Sequence, residues 1–177
     1  MKTIKVLVFA LMAISFTACN DDLLDIKFGL NAKDVSFTIA PTTQAGVINL
    51  DTTVQTINLD SVIKANGADP GKVKSVKIKK ITAFLDAPAG GNFDILESGT
   101  LIMDAPGLAQ VTIAQFSAIP DGVMQFDITP DTNVNLLDYA RKNVLHISGQ
   151  LVTNGPVTQA ATVRLTIQYE ITANPLN

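Results

Sequence analysis

The sequence predicts an all-β sandwich, and three observations support this fold class. Apolar and polar residues alternate in many short segments, which is the period of a strand with one buried face. Turn-forming residues separate these segments at intervals of about 8–14 residues. In the longest segment every second residue is polar, as in a sheet that packs against the core on one face and is exposed to solvent on the other. We expect an immunoglobulin-like sandwich of about eight or nine strands. A small closed β-barrel is the alternative, because alternation alone does not separate the two folds.

Strands are predicted wherever the alternation is clear. Residues 35–39 alternate strictly and stop at Pro41. In the segment 72–85 the apolar residues move from even to odd positions near Lys79-Lys80, which predicts a β-bulge. A turn is expected at residues 120–122, where proline and glycine supply the backbone angles. Further strands are expected at residues 48–50, 54–59, 101–103, 111–113 and 124–128.

The C-terminal third has the most regular alternation. Apolar residues occupy every second position from 161 to 171, and the segment before them shows the same period. Asn154-Gly155 lies between the two segments and is typical of a two-residue hairpin turn. We therefore predict that strands 144–153 and 157–173 pair with each other as a hairpin.

Two short helices are expected as crossovers between strands. The first covers residues 60–66 and ends at Gly67. The second covers residues 131–142, because Asp131 or Thr132 can cap its start and two basic residues favour its C-terminal end.

Composition excludes several classes of function. The chain of 177 residues has 16 acidic and 13 basic residues, one His and one Cys. An excess of acid disfavours nucleic-acid binding, which requires Lys and Arg against phosphate. A structural zinc site takes about four thiolate or imidazole ligands, more than this chain contains. We expect no metal and no cofactor.

The N-terminus has the pattern of a secretory signal peptide. Lys2 and Lys5 precede an uncharged, mostly apolar run, and small residues follow at 17–18. The uncharged stretch from residue 6 to residue 20 is shorter than the ~20 residues that a bilayer core requires. We predict that residues 1–18 are a signal peptide.

The residues Phe16-Thr17-Ala18-Cys19 resemble the lipobox of bacterial lipoproteins, with Phe16 at the position where Leu is usual. The resemblance implies that Cys19 is lipidated and that cleavage occurs before it. The residues Asn20, Asp21 and Asp22 resemble the acidic export signal of Bacteroidota-type surface lipoproteins. This implies an outer-membrane protein that is held by its acyl chains, at the cell surface or, alternatively, facing the periplasm. Residues 19–33 are then a lipidated tether, and residues 34–177 a single β-rich domain.

Neither the lone histidine nor the carboxylates form a convincing catalytic set. His146 is expected to face solvent, and Asp94 and Glu97 lie only three positions apart beside a turn. We therefore expect a non-catalytic lipoprotein, a structural or binding accessory of the outer membrane or cell surface, with a protein or glycan partner. The alternatives are a carrier of a small apolar ligand, which needs a cavity of ~300 Å³ or more, and a carboxylate-based hydrolase.

Two further sets of residues are candidate sites. A lysine cluster is either a contact patch for an anionic partner or a device that protects a strand edge from aggregation. This cluster comprises Lys72, Lys74, Lys77, Lys79 and Lys80. The triplets Asp51-Thr52-Thr53 and Asp60-Ser61-Val62 resemble an O-glycosylation signal of exported proteins, which implies Thr52 and Ser61 as acceptors. The aromatic residues offer no obvious stacking platform, and five phenylalanines are predicted core residues: Phe37, Phe84, Phe93, Phe116 and Phe126.

Overall fold

The chain folds into two packed antiparallel sheets in a computed structural model that describes residues 25–31, 34–55, 59–67, 69–142 and 144–174. Side chains of residues 51–55 and 59 are outside this description. The strands are β1 (Ile26–Asn31), β2 (Val35–Ile39), β3 (Gly46–Gln55), β4 (Val73–Ala87), β5 (Leu96–Asp104), β6 (Val111–Ser117), β7 (Gln125–Ile128), β8 (Leu145–Thr153) and β9 (Ala161–Ala173). The helices are α1 (Leu59–Ala65) and α2 (Leu137–Ala140), with a 3₁₀ turn at Pro70–Lys72.

The strand order is that of a jelly roll. One sheet has the order β1-β9-β4-β7, and the other has the order β3-β8-β5-β6. The short strands β1 and β2 both pair with β9, one along each half of it, so together they act as one interrupted edge strand. If β1 and β2 are counted as one strand, the described fold has eight strands. Consecutive strands lie in opposite sheets, except β5 and β6, which pair with each other. Eight strands in two sheets with this order define the jelly roll.

The prediction of an all-β sandwich is confirmed, and the described strands form two separate sheets rather than the closed barrel of the alternative. The immunoglobulin-like order is not the one observed. An immunoglobulin sheet contains neighbouring pairs such as A–B and F–G, whereas here most neighbours in a sheet are remote in the chain.

The predicted C-terminal hairpin is wrong. Strand β8 pairs with β3 and β5, whereas β9 belongs to the other sheet. The connection between them crosses from one sheet to the other. A two-residue type I′ turn needs positive φ at both central residues, and neither Asn154 nor Gly155 has it. Instead, the backbone N–H and the side-chain amide of Asn154 donate to the carbonyl oxygens of Ile95 and Asp94 at 3.0 and 3.2 Å.

The core fills the space between the sheets. Every apolar position of β9 from Ala161 to Ala173 is buried, and the polar residues between them lie on the outer face. The predicted bulge of β4 is confirmed, because the register with β9 shifts between Ile78 and Lys80. A small cavity lined by core side chains has a volume of ≈ 20 Å³, which is room for about one water molecule. This cavity between the sheets is far too small for a ligand of the size that a carrier requires.

Helix α1 matches the sequence prediction within one residue at each end, and it buries Ile63 completely. Helix α2 is much shorter than the predicted helix 131–142. Asp131 Oδ1 accepts a hydrogen bond from the backbone N–H of Asn133 at 2.9 Å, which holds the preceding residues in a turn. The backbone N–H of Leu136 donates to the carbonyl oxygen of Val76 at 2.7 Å. These contacts with a local side chain and with β4 replace the first turns of a helix, as Asp and Asn often do.

Strand β1 lies inside the segment 19–33 that the sequence assigned to a tether. It begins at Ile26, which pairs with Ala173, so the ordered sheet starts eight residues earlier than the predicted boundary at 34. At the other end of β9, Ala161 lies opposite Ile39 of β2. We call the end at Ile26 the tether end and the opposite end the loop end. The 13 residues of β9 separate the two ends by about 40 Å.

Candidate functional site

Four connections meet at the loop end and bind one another. They are residues 40–45, 88–95, 118–124 and 154–160. Thr42 and Val157 exchange two hydrogen bonds, from Thr42 N–H to the Val157 carbonyl at 2.9 Å and from Val157 N–H to Thr42 Oγ1 at 3.0 Å. The N–H of Gly122 donates to Asp94 Oδ1 at 2.6 Å. These contacts link loops that are far apart in the chain and hold them in one arrangement.

A cleft of ≈ 320 Å³ opens between two of these loops. Its floor is formed by the apolar side chains Ile39, Leu85, Phe93, Leu96, Val157 and Val163. Residues 88–92 form one wall and residues 156–159 the other. The polar side chains on its surface are Asn92, Thr158 and Gln159, and none of the lining side chains is charged. The cleft is therefore a small, mostly apolar site at the lower end of the usual size range for ligand pockets.

The wall at residues 88–92 depends on two glycines. Gly90 has a φ of 75°, a backbone angle that residues other than glycine rarely adopt. A Cβ on Gly91 would meet Leu85 Cδ2 at 3.0 Å and the Pro88 carbonyl oxygen at 3.1 Å. The N–H of Gly91 donates to that same carbonyl at 3.0 Å. Glycine at position 91 therefore allows this wall to pack directly on the floor of the cleft.

Aromatic packing joins the cleft to the core. The rings of Phe93 and Phe126 meet edge to face with centroids 5.0 Å apart, and Phe116 lies 5.6 Å from Phe126. Phe37 and Phe93 are buried as predicted, and Phe116 and Phe126 are half-buried against the core. The prediction for Phe84 is wrong. This ring lies on the outer face of its sheet, beneath the guanidinium of Arg164 at 4.3 Å.

The lysine cluster lies toward the tether end, on a face that also carries carboxylates. Lys74, Lys79 and Lys80 are exposed, whereas Lys72 and Lys77 are partly buried. Lys74 Nζ lies 2.9 Å from Asp25 Oδ1, and Lys80 Nζ lies 3.0 Å from Asp127 Oδ2. The hydrogen bonds from Lys80 and Thr82 hold the pKa of Asp127 below its usual value. Neighbouring acids therefore offset part of the positive charge of the cluster.

The edge of β4 is covered on both sides of this cluster. Strand β7 pairs with residues 81–84, and the segment at Asn135 covers residues 74–76. Between these covers, residues 77–80 have no strand partner on that side among the described strands. Lysines at an uncovered strand edge fit the edge-protection interpretation of the cluster.

Arg164 organises the outer face of the same sheet. Its Nε and Nη2 donate to the two carboxylate oxygens of Asp86 at 2.8 and 3.1 Å, and its Nη1 donates to Asp34 at 3.2 Å. The hydrogen bond from Arg164 holds the pKa of Asp86 below its usual value, and the same bond raises the pKa of Arg164. These ion pairs join β4, β9 and the residue that precedes β2, and they occupy the guanidinium of Arg164 with protein carboxylates.

The other candidate residues do not converge. His146 is half-buried on the outward side of β8, away from the cleft. Both oxygens of Asp94 accept hydrogen bonds within the loop end, from Gly122 and from the side-chain amide of Asn92, while Glu97 is exposed on β5. Within the described ranges, no group of three or more His, Cys, Asp or Glu residues could hold a metal. No described helix is long and apolar enough to span a membrane.

Several predicted sites lie outside the described residues. They are Cys19, Asn20, Asp21 and Asp22. Thr52 belongs to β3, and its side chain is also outside the description. Ser61 is exposed in the first turn of α1.

Sequence reasoning missed the cleft. The glycine pair at 90–91 indicated only a turn, and nothing in the local pattern connects residues 88–92 with residues 156–159.

No protein-family profile matches the chain, and no curated protein matches it. Among solved structures, one titled Desmodium yellow mottle tymovirus aligns with 86% of this chain and 91% of that chain. The identity is 10% and the TM-score is 0.29.

Proposed function

We propose that this chain is a non-catalytic, lipid-anchored binding domain of the bacterial outer membrane, and that its loop-end cleft faces away from the membrane. The observation that carries the proposal is the position of the cleft relative to the start of the fold. The chain begins its first strand at the tether end, and the cleft lies at the opposite end of β9.

The reach of the tether supports this orientation. Seven residue steps separate Cys19 from Ile26, so an acylated Cys19 keeps Ile26 within about 25 Å of the membrane surface. The loop end lies about 40 Å further along the sheet. The acidic residues after Cys19 favour the cell surface over the periplasm as the location, by resemblance to exported lipoproteins.

The arrangement of polar groups supports binding rather than chemistry. Catalysis needs an oriented base beside a nucleophile or a pair of free carboxylates in a cleft. The described part of the cleft wall contains neither. Asp94, which lies between the lining residues Phe93 and Ile95 in sequence, does not line the cleft, and its carboxylate is occupied by loop contacts. A carrier with an enclosed interior is also disfavoured, because the sandwich core is packed. The cleft does reach the volume that the carrier alternative requires, but it opens to solvent.

The anchor is tested by Cys19→Ala in the native host. We expect the protein to leave the membrane fraction or to remain uncleaved, because the acyl acceptor is lost. Thr3→Ala, in the same leader, is the matched control and should leave the membrane fraction unchanged. A Cys19→Ala protein that is cleaved normally and still requires detergent for release from the membrane would refute the anchor.

The orientation is tested with single cysteines, since acylated Cys19 leaves no other thiol in the mature chain. Thr158→Cys places a label at the loop end, and Lys27→Cys places one at the tether end; both positions are exposed. Energy transfer to a dye in the bilayer should be strong from position 27 and weak from position 158. Equal transfer from both positions would mean that the domain lies flat on the membrane, against the proposal.

A further inference from the structure

We infer that the loop-end cleft takes an uncharged, predominantly apolar small molecule. This inference names the ligand class for the site in the proposed function and rests on that function only for its biological setting. It is argued from the charge, shape and surroundings of the cleft.

The absence of charged side chains in the cleft restricts the charge of its ligand. No lining side chain carries a charge, and the floor is apolar from Ile39 across to Val163. A carboxylate, phosphate or ammonium group placed against this floor would lose part of its hydration and meet no side chain of opposite charge, which is unfavourable. Side-chain hydrogen-bonding groups lie on the two walls, at Asn92, Thr158 and Gln159, so the expected ligand pairs an apolar body with neutral polar atoms at its edge.

The volume of the cleft restricts the size of its ligand. The cleft volume of ≈ 320 Å³ is equivalent to about ten water molecules in the liquid. Hydrogen bonds between the loop pairs at Thr42–Val157 and Asp94–Gly122 hold the loop end together, so a much larger ligand would have to break these contacts.

The surroundings favour a small molecule over a protein or a sugar. Protein interfaces centre on exposed Trp, Tyr or Arg anchors, and the loops at 40–45, 88–92 and 154–160 contain none of these residues. The exposed large apolar side chains of the described chain are Ile26, Val47 and Met124, and none of them lines the cleft. Sugar sites use open aromatic faces, whereas the one aromatic ring of the floor, Phe93, is only 2% exposed.

The test uses two fluorescent probes that differ in one charged group. N-phenyl-1-naphthylamine is a neutral aryl amine, and 8-anilino-1-naphthalenesulfonate is the same molecule with a sulfonate. Binding is measured on residues 20–177, which contain every described strand and helix and lack Cys19, so the result does not depend on the anchor. We expect saturable binding of the neutral probe, at least tenfold tighter than that of the sulfonate.

Two matched variants locate the bound probe. Thr158→Asp adds a carboxylate to the cleft wall and should weaken binding of the neutral probe about tenfold. Thr132→Asp makes the same change on an exposed turn far from the cleft and should leave binding unchanged. Thermal unfolding monitored by circular dichroism verifies that both variants are folded. Equal affinity for the two probes, no saturable binding, or binding that Thr158→Asp leaves unchanged in a folded protein would each overturn the inference. Failure of the Cys19 test alone would remove the membrane setting and leave the ligand class standing.

Discussion

At the scale of single residues, Tyr169 combines an apolar position with a polar group. Its side chain is 1% exposed in the inward-facing phase of β9, and its hydroxyl has no hydrogen-bond partner among the described residues. Burial raises the pKa of this hydroxyl, because the charged form would lose its hydration. Leaving the neutral hydroxyl unpartnered also costs free energy, about 1–3 kcal/mol for a fully desolvated group.

Tyr169→Phe should therefore preserve or increase the free energy of unfolding, by up to about 1 kcal/mol, because it removes only the unpaired oxygen. Chemical denaturation of the two proteins measures the difference. Tyr139→Phe is the control, since the Tyr139 hydroxyl donates to the Ala109 carbonyl at 2.7 Å and its loss should destabilise the fold by about 0.5–1.5 kcal/mol. A clear loss of stability in Tyr169→Phe would show that its hydroxyl has a partner.

The wrong prediction for Phe84 belongs to the same scale. Beyond the bulge of β4, residues Ile81, Ala83 and Leu85 face the core, so an even-numbered neighbour must face outward. The alternation along β4 therefore indicates that Phe84 faces outward. The prediction that Phe84 lies in the core followed from the hydrophobicity of its ring alone. The cross-strand partner of Phe84 is Arg164, whose guanidinium covers the exposed aromatic face.

At the scale of elements, Asn135 substitutes for a neighbouring strand along the open edge of β4. Its Oδ1 accepts from Val76 N–H and from Leu137 N–H, each at 3.1 Å, and its Nδ2 donates to the Lys74 carbonyl at 3.3 Å. One side chain thereby satisfies β4 and the start of α2 at the same time. This accounts for the non-helical backbone before α2, where the sequence suggested a longer helix.

Asn135→Ala should lower the free energy of unfolding by about 1–2 kcal/mol, because it leaves the Val76 and Leu137 donors without this acceptor. Asn135→Asp keeps the acceptor and should recover part of the loss. Asn133→Ala, on the same exposed segment, should have little effect, since no hydrogen bond from its side chain is described. Equal stability of Asn135→Ala and Asn133→Ala in chemical denaturation would contradict the edge-capping role.

The ion pairs of Arg164 connect β4, β9 and Asp34, the residue before β2, and they give a pH-dependent contribution to stability. The folded-state pKa of Asp86 lies below its usual value of 3.8 because Arg164 donates to it. A carboxyl group whose pKa is lower in the folded than in the unfolded state stabilises the fold at pH values above its unfolded-state pKa. This stabilisation is lost as the pH falls through its folded-state pKa.

We expect the stability of the native protein to fall more between about pH 5 and about pH 3 than that of Arg164→Met, which lacks the partner of Asp86. Denaturation midpoints at the two pH values measure this difference. Lys27→Met is the control, because its ion pair with Glu170 is exposed and spans 3.7 Å, so it should retain the native acid sensitivity. The same acid sensitivity in the native protein and Arg164→Met would exclude this linkage.

At the scale of the whole molecule, charge is distributed over one face in alternating signs. The cations of the lysine cluster lie among Asp25, Asp127 and Glu170, and two of them form close ion pairs. A surface of mixed sign has a weaker long-range field than the sequence cluster suggested, since exposed charges are also screened beyond ~8 Å at physiological salt. The uncovered edge at residues 77–80 fits edge protection by Lys77, Lys79 and Lys80, whereas Lys72 and Lys74 lie outside it.

Reversing Lys77 and Lys79 to Glu should change solubility and leave the proteins captured from the native membrane unchanged. Capture is compared at low and at physiological salt. Lys64→Glu with Lys142→Glu is the control, because it makes the same charge change at exposed sites outside the cluster. Loss of a partner in the Lys77/Lys79 variant alone, most evident at physiological salt, would instead identify a contact surface.

The sequence by itself determined where most of the strands lie and which side of them is buried. It missed β1, and it predicted two strands at residues 48–50 and 54–59 where the structure has the single strand β3, which ends at Gln55. Period-two alternation correctly assigned the inward residues of β9 and the bulge near Lys79, and proline and glycine correctly indicated the turn at residues 120–122, because these features depend on neighbouring residues. Helix α1 and its glycine stop were predictable for the same reason.

Only the tertiary structure decided which strands pair and where a ligand site forms. Strands β8 and β9 each have one apolar face, and that pattern is satisfied equally by a hairpin or by two sheets that face each other across a core. The jelly-roll order joins strands that are remote in the chain, so no local pattern specifies it. The cleft likewise depends on loops from distant parts of the chain, and it exists only because the packing of the two sheets brings residues 88–92 and 156–159 to the same end.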